Sequence, residues 1–136
     1  MSDAGFNKWV QEYTIMDNIN REQAKASAKQ LLQMEYRPTA FFAANDSLAF
    51  GVCSAATELG LRVPNDVSVV GYDDIKMAAT FEPPLTTIHQ PIYEMGRRSI
   101  QLMMDQVSGA KSAALPESIV VSASLVKRGS VKILQR

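Results

Sequence analysis

The chain has 136 residues, enough for one domain that buries roughly two-thirds of the surface its unfolded form exposes. Hydrophobic residues make up 46% and charged ones 21%, which excludes a disordered chain. Fourteen basic and fourteen acidic side chains cancel, so no global field draws nucleic acid to it.

No apolar run approaches the roughly 20 residues that span a bilayer. The N-terminus, MSDAGFNKWV, lacks the basic and hydrophobic regions of a secretory leader, which points to the cytoplasm. Cys53, the single cysteine, has no internal disulfide partner and falls in an apolar helical pattern, as a small core residue does.

In chain order, Ala4 to Glu12 is compatible with a short helix and Tyr13 to Met16 with a short strand. Asn20 is a helix N-cap, with Gln23 three residues on completing a capping-box pattern. From there Ala24, Ala28, Leu31 and Leu32 recur on one face of a helix that ends before Arg37-Pro38. Phe41, Phe42, Ala43 and Ala44 follow without alternation, the pattern of a strand buried on both faces.

A second helix is predicted from about Ser47 to Leu59, capped by Asn45 or Asp46, with Leu48, Ala49, Val52, Cys53, Ala56 and Leu59 as its stripe. Gly51 inside it costs about 1 kcal/mol relative to alanine, which implies close packing against a neighbour, and Gly60 stops the helix. Val67 to Tyr72 is the next strand, followed by Asp73-Asp74 and an irregular stretch through Phe81. Glu82-Pro83-Pro84 excludes a helix interior. Leu85 to His89 reads as a third strand and Ile92 to about Val107 as an amphipathic helix. A polar loop from Ser108 to Ser112 leads to a last strand, Ile119 to Val126, and then a basic tail opened by Lys127-Arg128. Strands alternating with helices predict an α/β fold, a largely parallel sheet with helices on both faces and right-handed crossovers.

Three of these strands end on a polar side chain: Asn45 after TAFFAA, Asp73 after VSVVGY and Gln90 after LTTIH. In open α/β sheets small ligands bind at that rim, outside the carboxyl ends of the strands. Two amides and a carboxylate suit a neutral, hydroxyl-rich ligand. Asp73 and Asp74 point in different directions, so one faces the cleft and the other caps the next turn, and they do not form an acid/base pair. His89, the only histidine, is a structural or solvent-edge residue, and neither a metal cluster nor a catalytic triad is evident. Lys127, Arg128, Lys132 and Arg136 read as a solvated basic tail. The expectation is recognition, with no cofactor and no enzyme activity.

Read together, AANDSLAFGV, GLRVPNDVSVVGYDD, PPLTTIHQP and SLVKR resemble the lactose/galactose repressor (LacI/GalR) family of transcription regulators, over about Pro38 to Gly129. The resemblance implies the C-terminal part of a two-lobed core like that of periplasmic sugar-binding proteins. That core binds an effector between its lobes and dimerises. Carried over by motif, Asn45, Asp73 and Gln90 match ligand-contacting groups, and Phe50, Met77, Thr80 and Phe81 match positions that meet across a two-fold axis.

The implied partners are a small-molecule effector of the carbohydrate class and a second copy of the chain. DNA would be reached only through a headpiece that this sequence does not contain, and no membrane is involved. A lobe of a sugar solute-binding protein of a transport system is the alternative.

The sequence departs from the family in having Ser2 where an arginine is usual, and in lacking the preceding strand and the N-terminal lobe. The expectation is a single partial effector-binding and dimerisation domain over 1–136, with weak sugar binding or none. In the family the helix matching Ile92 to Val107 belongs to the other lobe. Without that lobe its apolar stripe is expected to be buried by refolding onto the sheet, by exchange or by oligomerisation.

Overall fold

A computed structural model describes residues 20–109 and 118–133. The predicted first helix and strand, Ala4 to Met16, lie outside the described residues. Asn20 caps α1 (Arg21–Leu32) by accepting the Glu22 amide at 2.8 Å. The chain continues as β1 (Ala40–Phe42), α2 (Asp46–Glu58), β2 (Ser68–Asp73), α3 (Lys76–Thr80), β3 (Thr86–His89), α4 (Ile92–Val107) and β4 (Ser124–Val126). The four strands form one sheet in the order β1-β2-β3-β4. The first three are parallel, and β4 returns antiparallel to β3, pairing Val126 with Thr87 and Ser124 with His89.

The core forms where α2 lies on the sheet. Ala49, Phe50, Val52, Cys53, Ala55 and Ala56 of α2 are buried with Val67, Val69, Ala78 and Leu85, and α1 packs on α2 through Ala28 and Leu32. Gly51 makes the helix contact possible, because a Cβ there would lie 2.6 Å from the Arg21 carbonyl oxygen. The sheet's other face is less closely covered, with Val70, Tyr72 and Ile88 half-buried. Phe42 is 68% exposed on it, so β1 is not buried on both faces as the unbroken apolar run implied.

Three further expectations are corrected. The stretch after Asp74 contains the short helix α3, whose Ala78 is buried in the core. The last strand covers only Ser124–Val126, since β3 offers partners no further than His89. The basic tail is solvated only in part: Lys127 and Lys132 are exposed, Arg128 is half-buried, and Arg136 lies outside the described residues. Ser130 is fully buried at the start of β2 and β3: its backbone carbonyl accepts the Val69 amide, its hydroxyl donates to the Val69 carbonyl, and the Thr86 amide donates to that hydroxyl. The Gly129 amide donates to the Pro84 carbonyl and the Lys132 amide to Ser68 Oγ. This segment therefore stitches the entry of β2 to the entry of β3.

Helix α4 forms over the predicted span but does not fold onto the sheet. None of its residues is buried, and Ile92, Ile100, Met103 and Val107 are 63% to 83% exposed. Its Met95, Arg98, Ser99 and Leu102 line a shallow groove with Ile119 and Val121.

Candidate functional site

Because β1, β2 and β3 run parallel, their carboxyl ends share one edge, and the chain leaves it at Asn45, Asp73 and Gln90. Gln90 Nε2 donates to Asp73 Oδ1 at 2.6 Å, so two of the three predicted ligand residues meet directly. Asn45 settles the choice of cap for α2: its Oδ1 accepts the Leu48 amide at 2.9 Å. That commits the oxygen to the helix and leaves the amide NH2 as the group Asn45 can offer a ligand.

The β2 exit is conformationally unusual. Asp73 has φ 114° and Asp74 φ 57°, two consecutive non-glycine residues at positive φ. Such backbone persists where its surroundings over-determine it, as at binding sites. Both carboxylates are held by the end of β3: Gln90 takes Asp73, and His89 Nδ1 lies 3.0 Å from Asp74 Oδ2. Asp74 Oδ1 also accepts from Arg128 Nη2 at 2.6 Å, while Arg128 Nη1 donates to the Leu85 carbonyl and its backbone amide to Thr86 Oγ1. The structure corrects the capping half of the predicted split between the two acids. Asp73 lies at the exit of β2, but Asp74 caps nothing, since α3 has Ile75 as its N-cap residue and no side-chain cap. It is an ion-pair centre instead.

Beneath the rim lies Asp46, fully buried, which the sequence offered only as an alternative cap. Its Oδ2 accepts the Ile75 amide at 2.9 Å and its Oδ1 accepts the Thr87 hydroxyl at 2.5 Å. The signal that could have found it is a pairing of an acid in the first turn of α2 with a glycine inside β2. A Cβ on Gly71 would collide with Asp46 Oδ1.

The residues matched to a two-fold contact divide. Phe50 is a correction: it is 2% exposed, stacked on Phe81 with ring centroids 4.5 Å apart, and Arg21 lies 5.8 Å from its ring centroid. It has no surface left to offer a partner. Met77, 51% exposed, and Thr80 face outward on α3, with Phe81 half-buried at their edge. Burial pushes the Cys53 thiol up to about 12, which makes it inert. Among the described residues no group of three or more His, Cys, Asp or Glu could hold a metal ion. The rim's chemistry is acceptance and donation of hydrogen bonds.

The chain matches the family profile of the periplasmic binding protein-like domain over residues 2–131. It is 39% identical over 121 residues to the "HTH-type transcriptional repressor PurR" of Yersinia enterocolitica, covering 89% of this chain and 35% of that protein. Among solved structures it is similar to the lac repressor dimer bound to operator and the anti-inducer ONPF. There the identity is 34% and the TM-score 0.77, over 94% of this chain and 46% of that one. A LacI family transcriptional regulator from Enterococcus faecalis with bound ribose gives 30% and 0.77, over 89% of this chain and 44% of that one. The chain spans about a third of the length of the curated relatives it matches.

Proposed function

Because this chain belongs to the periplasmic binding protein-like domain family, in its LacI-type branch of transcriptional regulators, we propose that it forms an effector-recognition lobe of such a regulator. It takes a sugar-like small molecule at the rim of Asn45, Asp73 and Gln90. The observation that carries this is the 2.6 Å pair of Gln90 and Asp73 at the carboxyl ends of two adjacent parallel strands. A carboxylate paired with one amide, with a second amide at the neighbouring strand exit, presents acceptors and donors together, as vicinal hydroxyls require. A ligand lacking a matching hydroxyl leaves such a group unpaired, at about 1–3 kcal/mol each. The ribose-bound neighbour supports the carbohydrate class.

The exposed face of Met77 and Thr80, edged by Phe81, is the surface offered to a second copy. No helix among the described residues is long and apolar enough to cross a membrane, and the lobe works in the cytoplasm as part of a repressor. A transport-system lobe would share the fold, but the 39% relative is a named repressor.

The test is an NMR titration of the full chain with D-ribose. The expected result is shift changes confined to Asn45, Asp73, Gln90 and their neighbours, weak in affinity and abolished by Asp73→Ala. Shifts that leave the rim untouched, or that survive Asp73→Ala, would overturn the reading.

A further inference from the structure

Asp46 poses a question that helix capping does not answer. Asn45 already caps α2, so the helix start needs no second acceptor. A buried carboxylate without partners is expensive, yet this one is fully buried and reaches away from its own helix to two distant segments. One is the backbone amide of Ile75, two residues past Asp73. The other is the hydroxyl of Thr87, three residues before Gln90. Asp46 itself is next to Asn45. The space for it exists because β2 has no side chain at Gly71, where a Cβ would collide with Asp46 Oδ1 and approach Leu85 Cδ2 to 2.9 Å. The N-terminus of α2 adds a favourable field for the charge.

We infer that Asp46 is a positioning residue for the rim. Its two oxygens tie the Asp73–Asp74 turn and the β3 strand to the base of Asn45, so that three separate strand exits present one fixed set of polar groups. This rests on the reading of that rim as the ligand edge. A carboxylate can do this where an amide of the same shape does it less well, because both oxygens accept and both partners donate. Holding binding groups on rigid elements through an inner layer of hydrogen bonds is what pre-organisation requires.

The experiment separates positioning from packing by asking whether filling the hole is enough. Asp46→Ala removes the carboxylate, and adding Gly71→Ala puts a methyl group into the vacated space. The expected result for the double variant is a melting temperature largely recovered from that of Asp46→Ala. Protection of the Ile75 amide from hydrogen exchange should stay down about tenfold, the loss an unpaired buried donor produces. The side-chain amide resonances of Gln90, shifted in the native chain by the bond to Asp73, should move to solvent values. Asp46→Asn, which keeps one acceptor for Ile75 while the Thr87 hydroxyl turns to accept, should rescue most of both signals.

If the double variant regains the Ile75 protection and the Gln90 shift along with its stability, Asp46 only fills space and the inference fails. Should the alanine variants not fold, Thr87→Val decides: it preserves shape and removes one donor. A displaced Gln90 signal supports the inference, and unchanged Gln90 and Ile75 signals overturn it. Titration with D-ribose is a separate arm. Absence of binding by the native chain defeats the sugar reading, while the exchange and resonance data still judge Asp46.

Discussion

Burial pushes the Asp74 carboxyl up, but the hydrogen bonds and charges of Arg128 and His89 outweigh it and hold the group below the ordinary carboxylate range. A carboxyl whose folded value is depressed contributes stability that is present above its unfolded value, about 3.9, and is lost as pH falls through the folded value. Arg128→Met takes away the stronger partner and leaves Asp74 largely buried beside a half-exposed histidine. Breaking a buried pair costs about 3–5 kcal/mol, and the remaining His89 contact should keep the loss at pH 7 near the lower end. Because burial then dominates at Asp74, its protonation no longer costs the variant stability as it does the native chain. The gap between variant and native chain should narrow as the pH drops to about 3. Urea unfolding at the two pH values measures this, and a gap independent of pH would place the effect elsewhere. Asp73 and Gln90 were legible as strand ends because a short apolar run followed by a polar residue is a local pattern. Arg128 and Asp46 were not, since each acts across more than 25 residues of sequence on groups that only the fold brings near. Nothing local distinguishes a basic tail from a guanidinium anchored on the Leu85 carbonyl.

At the scale of elements, α2 explains both what the periodicity captured and what it missed. Its span and cap followed from AND and the Gly60 stop, and the close packing implied by Gly51 is met by the Arg21 backbone. The stripe argument assumes one buried face. Here α2 lies between the sheet and α1, so Phe50 and Ala55 are buried along with Ala49, Val52, Cys53 and Ala56 of the predicted stripe, while Leu48 and Leu59 are half-buried. This is why Phe50, off the stripe, belongs to the core. Gly51→Ala tests the sandwich. Helix propensity alone would favour alanine by about 1 kcal/mol. The new methyl group, however, would meet a backbone oxygen at 2.6 Å, and forcing helices apart costs about 1–3 kcal/mol. The clash should win, with a lower urea midpoint and an unchanged slope. A variant more stable than the native chain would mean that α1 yields freely. The strands were less legible than the helices. Phe41–Ala44 reads as doubly buried whichever face a helix covers, and period alone does not tell an open face from a closed one.

Over the whole molecule the largest unmatched feature is α4. Sequence periodicity anticipated its apolar stripe, and the structure leaves Ile92, Met95, Ile100, Met103 and Val107 exposed while the polar side is ordered by Glu94 with Arg97 and Arg98. Fully burying side chains of this size is worth about 1.5–3 kcal/mol each, so covering all five yields about 7–15 kcal/mol. Association costs roughly 4–15 kcal/mol in lost freedom and ordering. The two ranges overlap, so the stripe supports self-association only when most of it is covered at once. Two copies lying stripe to stripe would meet that condition, and the face of Met77 and Thr80 on α3 supplies a second contact. The full chain at tens of micromolar should therefore scatter light as a dimer. Ile100→Glu with Met103→Glu should return it to a monomer without lowering the melting temperature of the core, because neither side chain packs against the buried cluster. A monomer mass for the native chain, with α4 amides exchanging freely, would show that this face is not covered by a second copy. A dimer that survives the double glutamate variant would move the interface to α3, where Met77→Glu should break it.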